Sequence, residues 1–271
     1  MLLTAAQLIT QTWRLYYKQW RALFPFMMLF FIPLLVMSVL GLLSLFLSAT
    51  LPTSDFVNSL FLVALFFLSI LFSVLASIAL SRAVKDLAVS GTTLPWKAHL
   101  HASVPLLKSV IFASALTILV IIGGTLLFIV PGIIFTVWFM FTSYAVMFEG
   151  FRGRAALAES KRLVDGRFWS VAWRISLPLM VFSLATSFTA YLAGVPLFFL
   201  GTYQVTASSG FSMVNILAQF GGSLLTSFLN SIFTPLTIIP IILLYLDLRA
   251  NPPLPVLKHL HNAAPPAPIE S

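Results

Sequence analysis

Apolar residues fill this chain in long blocks, and the few polar residues between the blocks mark their limits. From Ser109 to Phe148 no charged side chain occurs, a run of about forty residues. One helix of that length would reach about 60 Å, twice the roughly 30 Å of a bilayer core. Pro131 and Gly132 interrupt the run, and Pro-Gly is a strong turn signal. The pattern therefore predicts a helical hairpin made of 109–130 and 133–148, with Glu149 just beyond.

Applied along the whole chain, the same reading predicts six spans at 23–47, 56–80, 106–130, 133–148, 169–192 and 223–246. The polar stretch GTYQVTASSG at 201–210 is expected to be an external loop, and 212–220 a short surface or re-entrant helix. Ahead of the first span, Thr4 and Gln7 form a capping-box pattern. Leu8, Ile9, Trp13, Tyr16, Tyr17 and Trp20 then give an aromatic face bordered by Arg14, Lys18 and Arg21. Residues 1–22 read as an interfacial amphipathic helix, with a helix packed on the bundle as the alternative. The N-terminus lacks a basic start and a solid apolar block, so a cleavable signal peptide is not expected. The Pro- and Ala-rich end, 251–271, is expected to be a disordered cytoplasmic tail after a single membrane domain over 1–250.

Composition agrees: 60% of the 271 residues are hydrophobic and only 8% are charged. A soluble domain of this length does not hide so much apolar surface. Cysteine is absent, which excludes disulfides and thiolate metal sites. The net charge of +8 does not gather into a polar domain, so a membrane surface and not nucleic acid is the expected partner. All fifteen Lys and Arg residues fall on one side of the six-span arrangement, while the connections between spans one and two, three and four, and five and six have none. The positive-inside rule then predicts N-in and C-in in a cell inner membrane. The fold class expected is all-α and polytopic.

The stretch PGIIFTVWFMFTSYAVMFEGFRGRAALAESKRLVDGRFW, with Pro131, Gly132, Glu149, Gly150, Ala156, Ser160, Leu163, Gly166 and Trp169, resembles a motif of the membrane domain of glycerophosphoryl diester phosphodiesterases. It is also similar to small inner-membrane proteins that share the pattern. A second match is LLYLDLRA, where Tyr245, Asp247 and Arg249 look like the Tyr-x-Asp-x-Arg ending of the family. The resemblance implies a six-helix membrane protein, with Pro131-Gly132 as its signature hairpin. The family's hydrolytic chemistry belongs to a separate soluble barrel with acidic metal ligands and catalytic histidines. With seven acidic residues in all, this chain is expected to lack that activity.

The candidate groups cluster at the predicted cytoplasmic ends. Residues 153–165 read as a short helix closed by Gly166 in the left-handed conformation, with Leu157, Ser160 and Val164 on one face and Ala156 and Leu163 beside it. Arg162 and Arg167 are candidate contacts for anionic lipid headgroups, set against the plainer reading of a loop that only orients the protein. Glu149, Arg154, Asp247 and Arg249 form a candidate charge network pinning helix ends together, with a proton or substrate path as the alternative. Ser69, Ser73, Ser77 and Ser81 recur every four residues, a polar stripe or, as favoured, a ridge for close helix approach. Gly123-Gly124 offers another close approach, and Pro33, Pro178, Pro235 and Pro240 suggest kinks or helix ends.

His99-Leu-His101 and His259-Leu-His261 supply four imidazoles, but i and i+2 do not share a helix face and no carboxylate stands at ligand spacing. Neither a metal nor a cofactor is expected. Asn230 is expected deep in the bundle, bonded to a neighbouring helix. No nucleophile with an adjacent base and no phosphate loop is evident.

Three functional classes follow. The first is a non-catalytic scaffold or accessory protein, with a protein partner, in membrane or envelope lipid processes. The second is a transporter or lipid-handling protein. The last is a membrane enzyme, which would need Glu149, Asp247 and the histidines to converge.

Overall fold

The computed structural model describes residues 2–50, 55–207 and 213–252, with side chains described over 2–44, 59–196 and 220–252. The described residues are helical throughout their regular structure: α1 (Ala5–Lys18), α2 (Trp20–Thr50), α3 (Asp55–Ser90), α4 (Trp96–Leu127), α5 (Ile129–Phe139), α6 (Thr142–Glu149), α7 (Arg154–Val164), α8 (Phe168–Ala207) and α9 (Met213–Ala250). Six segments are long and apolar enough to cross a membrane, α5 and α6 together counting as one. Large apolar side chains such as Phe67, Leu119 and Phe188 are exposed along them. Water would penalise that surface; lipid does not.

Each helix has a local cause. In α1 the Thr4 hydroxyl accepts the Gln7 N–H at 3.3 Å, and the Gln7 side chain accepts the Thr4 N–H at 2.8 Å, completing the capping box. Burial of Leu8 and Thr12, with Trp13 and Tyr17 exposed, makes α1 two-faced. Its inner face packs on α9 through Leu244, Tyr245 and Leu248, so this helix does lie against the bundle. The Tyr16 hydroxyl donates to the Ile232 carbonyl at 3.2 Å, in the turn of α9 that Pro235 disturbs.

The hairpin turn does not sit at Pro131-Gly132. The chain breaks at Phe128, which is extended at φ −160°, and Pro131 lies in the first turn of α5, where a missing N–H costs nothing. Gly132 serves the packing instead: a Cβ there would stand 2.1 Å from Thr125 Oγ1 and 3.0 Å from Thr125 Cα. Gly124 is less confined, since its Cβ would lie 2.5 Å from the Phe135 ring but 3.4 Å from the nearest backbone atom, and Gly123 faces open space.

Other expectations also shift. Residues 201–207, read as loop, continue α8, and 213–220 belong to α9 instead of forming a separate helix. Neither stretch contains a proline, and Gly201 is the one glycine in the two, so the backbone keeps its own hydrogen bonds. Positions 208–212 and the tail beyond 252 lie outside the described residues. Pro33, Pro178, Pro235 and Pro240 are all inside helices and end none of them. Asn230 is exposed, because the buried position of that turn is Ser231, one residue further round the helix. Ala76, Ala79 and Ala83 of α3 pack in a buried cluster with α2 and α9. Of the four serines of the stripe only Ser81 is fully buried.

The strongest packing gathers at the end of the bundle that carries the basic residues. There α9 touches α1, α2, α3 and α8. One cluster joins Leu23, Phe26 and Met27 of α2 to the α3 alanines and to Ile239 and Ile242 of α9. A second joins α1, α7, α8 and α9 around Tyr245.

Candidate functional site

The site grows from the short helix α7, which folds back against the ends of α5, α6 and α9. Helix α6 closes on Gly150, whose φ of +76° is left-handed and whose N–H donates to the Val146 carbonyl at 3.1 Å. Gly153, at φ +50°, starts α7, and Gly166, at φ +73°, follows its end. Between them Ala156, Leu157, Ser160, Leu163 and Val164 are all buried, the face that the spacing predicts.

Ser160 repairs a break in the fourth span. Met140 and Phe141 interrupt the helical path between α5 and α6. The Phe141 N–H donates to Ser160 Oγ at 3.1 Å, and that hydroxyl donates to the Trp138 carbonyl at 2.7 Å. One side chain thus satisfies two backbone groups freed by the interruption, and Thr142 Oγ1 donates to a third, the Phe139 carbonyl, at 2.8 Å, which lipid could not do.

One turn of α7 away, a chain of polar groups crosses from α6 to α9. The Tyr245 hydroxyl donates to Glu149 Oε1, and Arg249 pairs with Glu149 Oε2. Arg249 also donates to Glu159 Oε1 at 3.0 Å. Arg162 grips Glu159 with both arms, Nε to Oε2 at 2.7 Å and NH2 to Oε1 at 2.6 Å. Tyr245 and Arg249, four apart, lie on one face of α9 and so reach the same acid. Glu149 and Glu159 side chains retain only 15% and 9% exposure, while Arg249 and Arg162 reach solvent at 38% each. Two carboxylates and two guanidiniums balance in charge, which is how a buried cluster avoids the desolvation cost of an unpaired ion. The Arg162 hydrogen bond holds the Glu159 carboxyl below the ordinary range, overcoming burial, which raises it. The same bond raises Arg162.

Asp247 and Arg167 close the assembly without joining that chain. Asp247 accepts the Leu3 N–H at 2.7 Å and the Asn251 side-chain amide at 3.1 Å, tying the N-terminal segment to the end of α9. Arg167 donates to the carbonyls of Leu163, Leu248 and Asn251 at 2.9, 3.2 and 2.5 Å, capping the ends of α7 and α9 together. Burial lowers its pKa below that of an ordinary arginine.

Of the residues singled out from the sequence, Glu149 and Arg249 therefore meet, while Asp247 binds elsewhere and Arg154 is exposed with no ion partner among the described residues. Both candidate headgroup arginines are engaged with protein, Arg162 by a carboxylate and Arg167 by carbonyls. Glu159 and the capping role of Arg167 escaped the reading of the sequence. The spacing of Glu159 and Arg162, i and i+3 on a helix, was the available signal for that pair.

The histidines lie apart from this cluster. His99 is buried, with Nε2 2.8 Å from Thr93 Oγ1 and 3.6 Å from Asp86 Oδ2, and its ring edge meets Phe26. His101 is exposed, and His259 and His261 lie outside the described residues. Among the described residues no three His, Asp or Glu groups gather at metal-binding distance.

Chemically, the arrangement clamps. Each carboxylate of the chain is bound by a cation, and Tyr245 and Ser160 spend their hydroxyl protons on neighbours. Compared with known proteins, the chain matches no family model, no curated protein and no solved structure.

Proposed function

We propose that this chain is a multi-pass inner-membrane protein with both termini cytoplasmic, acting as a non-catalytic scaffold or accessory protein in membrane lipid processes. The observation that carries this reading is the Tyr245–Glu149–Arg249–Glu159–Arg162 chain, which commits the acidic groups of the site to holding three elements together. Sidedness is supported by the basic residues, all of which fall at the same end of the six spans. In this reading α1 and α7 lie along the membrane surface, with Trp13 and Tyr17 turned to the headgroups.

The family reading, a relative of the membrane domain of glycerophosphoryl diester phosphodiesterases without its barrel, is supported by where its motif residues meet. Glu149 from the central motif stands beside Tyr245 and Arg249 from the ending, although about a hundred residues separate the two. The test is mass spectrometry of everything retained when the protein is extracted directly into native-lipid discs. A protein partner near equal stoichiometry supports the scaffold reading, and repeated extraction without one removes it.

A second reading, lipid handling, draws on one observation: a wide apolar groove lies between α5 and α8. Lipid scrambling or flux in proteoliposomes above protein-free vesicles supports it, and a flat result counts against it.

A further inference from the structure

Trp169 and Trp173, on the first turns of α8, are 82% and 66% exposed and separate two clefts. On one side is the groove against α5, about 720 Å³, whose walls include Ile134, Val137 and Trp138 opposite Ala172 and Ser176. It runs from Gly166, in the loop before α8, to Val130 near the hairpin tip, so it enters the bilayer from the end that bears the charges. On the other side is a cleft of about 650 Å³ between α8 and the start of α1, to which Thr4, Ser170 and Arg174 bring polar groups.

Arg174 is half-buried in that second cleft and has no hydrogen-bond or ion partner among the described residues. This distinguishes it from Arg162 and Arg167, both held by protein. Lys161 also lacks a carboxylate partner among the described residues and stands 4.5 Å from the centroid of Trp138, which lines the apolar groove. The nearby acids are Asp165 at the mouth of the groove and Asp247, which accepts the Leu3 N–H beside Thr4 of the cleft. Arg174, Lys161 and the carbonyl-bound Arg167 outnumber these two acids and leave this end positive. The apolar groove and the cationic cleft share two indoles in their walls, the residues favoured where acyl chains meet headgroups.

We propose that the paired clefts beside Trp169 and Trp173 bind one anionic phospholipid, with its phosphate against Arg174 and an acyl chain in the groove between α5 and α8. The proposal deepens the lipid-handling reading and rests on these helix ends lying at the cytoplasmic surface. An anion without the apolar body leaves the groove unfilled, and a zwitterionic lipid gains less from the unpaired arginine.

Native mass spectrometry of the full chain in neutral detergent, with equimolar phosphatidylglycerol and phosphatidylcholine, tests it. The expected result is one retained phosphatidylglycerol per chain at five-fold or more over phosphatidylcholine, falling to near parity in Arg174→Gln and restored in Arg174→Lys. A tenfold excess of soluble glycerol phosphate leaves the retained lipid in place; displacement by it would overturn the lipid assignment. Equal retention of the two lipids by the unaltered protein, or an unchanged preference in Arg174→Gln with its thermal midpoint intact, would overturn the site. Proteoliposome scrambling is scored separately. A preference without scrambling keeps the site and removes lipid movement, and scrambling without preference does the reverse.

Discussion

Arg249 donates to Glu159 at 3.0 Å, joining the last turn of α9 to a helix 90 residues earlier in the chain. Its other arm pairs with Glu149 at the end of α6. One guanidinium thus stands between two carboxylates, and removing either acid leaves it half-paired. The stability of this end of the bundle is expected to follow the charge state of those acids.

Acid should loosen the clamp. The Glu159 pKa is lowered in the folded protein, so its contribution is complete above the ordinary glutamate pKa and disappears as pH falls through the lowered folded value. The thermal midpoint in detergent should hold steady near neutral pH and drop in acid. Glu159→Gln should start lower near neutrality and show a shallower acid limb. Parallel pH curves for the two proteins would refute the assignment to Glu159.

Ser160→Ala should cost about 1–3 kcal/mol, the penalty of leaving buried backbone groups unpaired at Phe141 and Trp138. Denaturant titration in mixed micelles measures it. A cost below about 0.5 kcal/mol would mean that water or another group takes over both bonds.

The hairpin predicts its own steric limit. Gly132→Ala should destabilise by about 1–3 kcal/mol, because the new methyl meets Thr125. Thr125→Ala should recover part of that loss by removing the hydroxyl 2.1 Å away, but not all of it, since Thr125 Cα stands at 3.0 Å. Full accumulation and an unchanged thermal midpoint in Gly132→Ala alone would contradict the packing.

The tip of that hairpin should emerge on the side opposite the basic residues. Leu126 and Phe128 are 82% and 75% exposed, and no charged residue accompanies them. From Lys108, the last charge of α4, to Leu127 the helix rises about 29 Å, the thickness of a roughly 30 Å core. Because the chain has no native cysteine, Phe128→Cys gives a clean label site. It should react with membrane-impermeant maleimide only from the side opposite that of Arg152→Cys, which reacts in inside-out vesicles. Labelling of both from the same side would contradict the six-span arrangement.

Much of the helical order was legible because apolar blocks and breaks in charge are long-range averages that single residues do not upset. The face of α7 was legible too, since Gly166 and the 3.6-residue period fix which residues turn inward. The break at Met140–Phe141 was not, because no Gly or Pro marks it and its partner Ser160 is about twenty residues away. Pro131-Gly132 misplaced the turn for a related reason: proline fits a first helical turn as well as it ends a helix, and Phe128 carries no turn signal. The extensions of α8 and α9 were missed because span length limits what lies in lipid, not how far a helix continues. At the site, Glu149 and Arg249 were legible as interfacial charges, but their union through Glu159 depends on how α7 folds back.

The most direct test of the clamp is a double-mutant cycle on Glu149 and Arg249, read by both thermal midpoint and membrane accumulation. Arg249 is partly exposed, so solvent screening holds the expected loss in Glu149→Gln to about 1–3 kcal/mol. Adding Arg249→Gln should cost little more, giving a coupling of about 0.5–3 kcal/mol. If Glu149→Gln instead accumulates normally with an unchanged midpoint and yet abolishes a cellular phenotype of the protein, the acid belongs to a working path and the structural account is wrong.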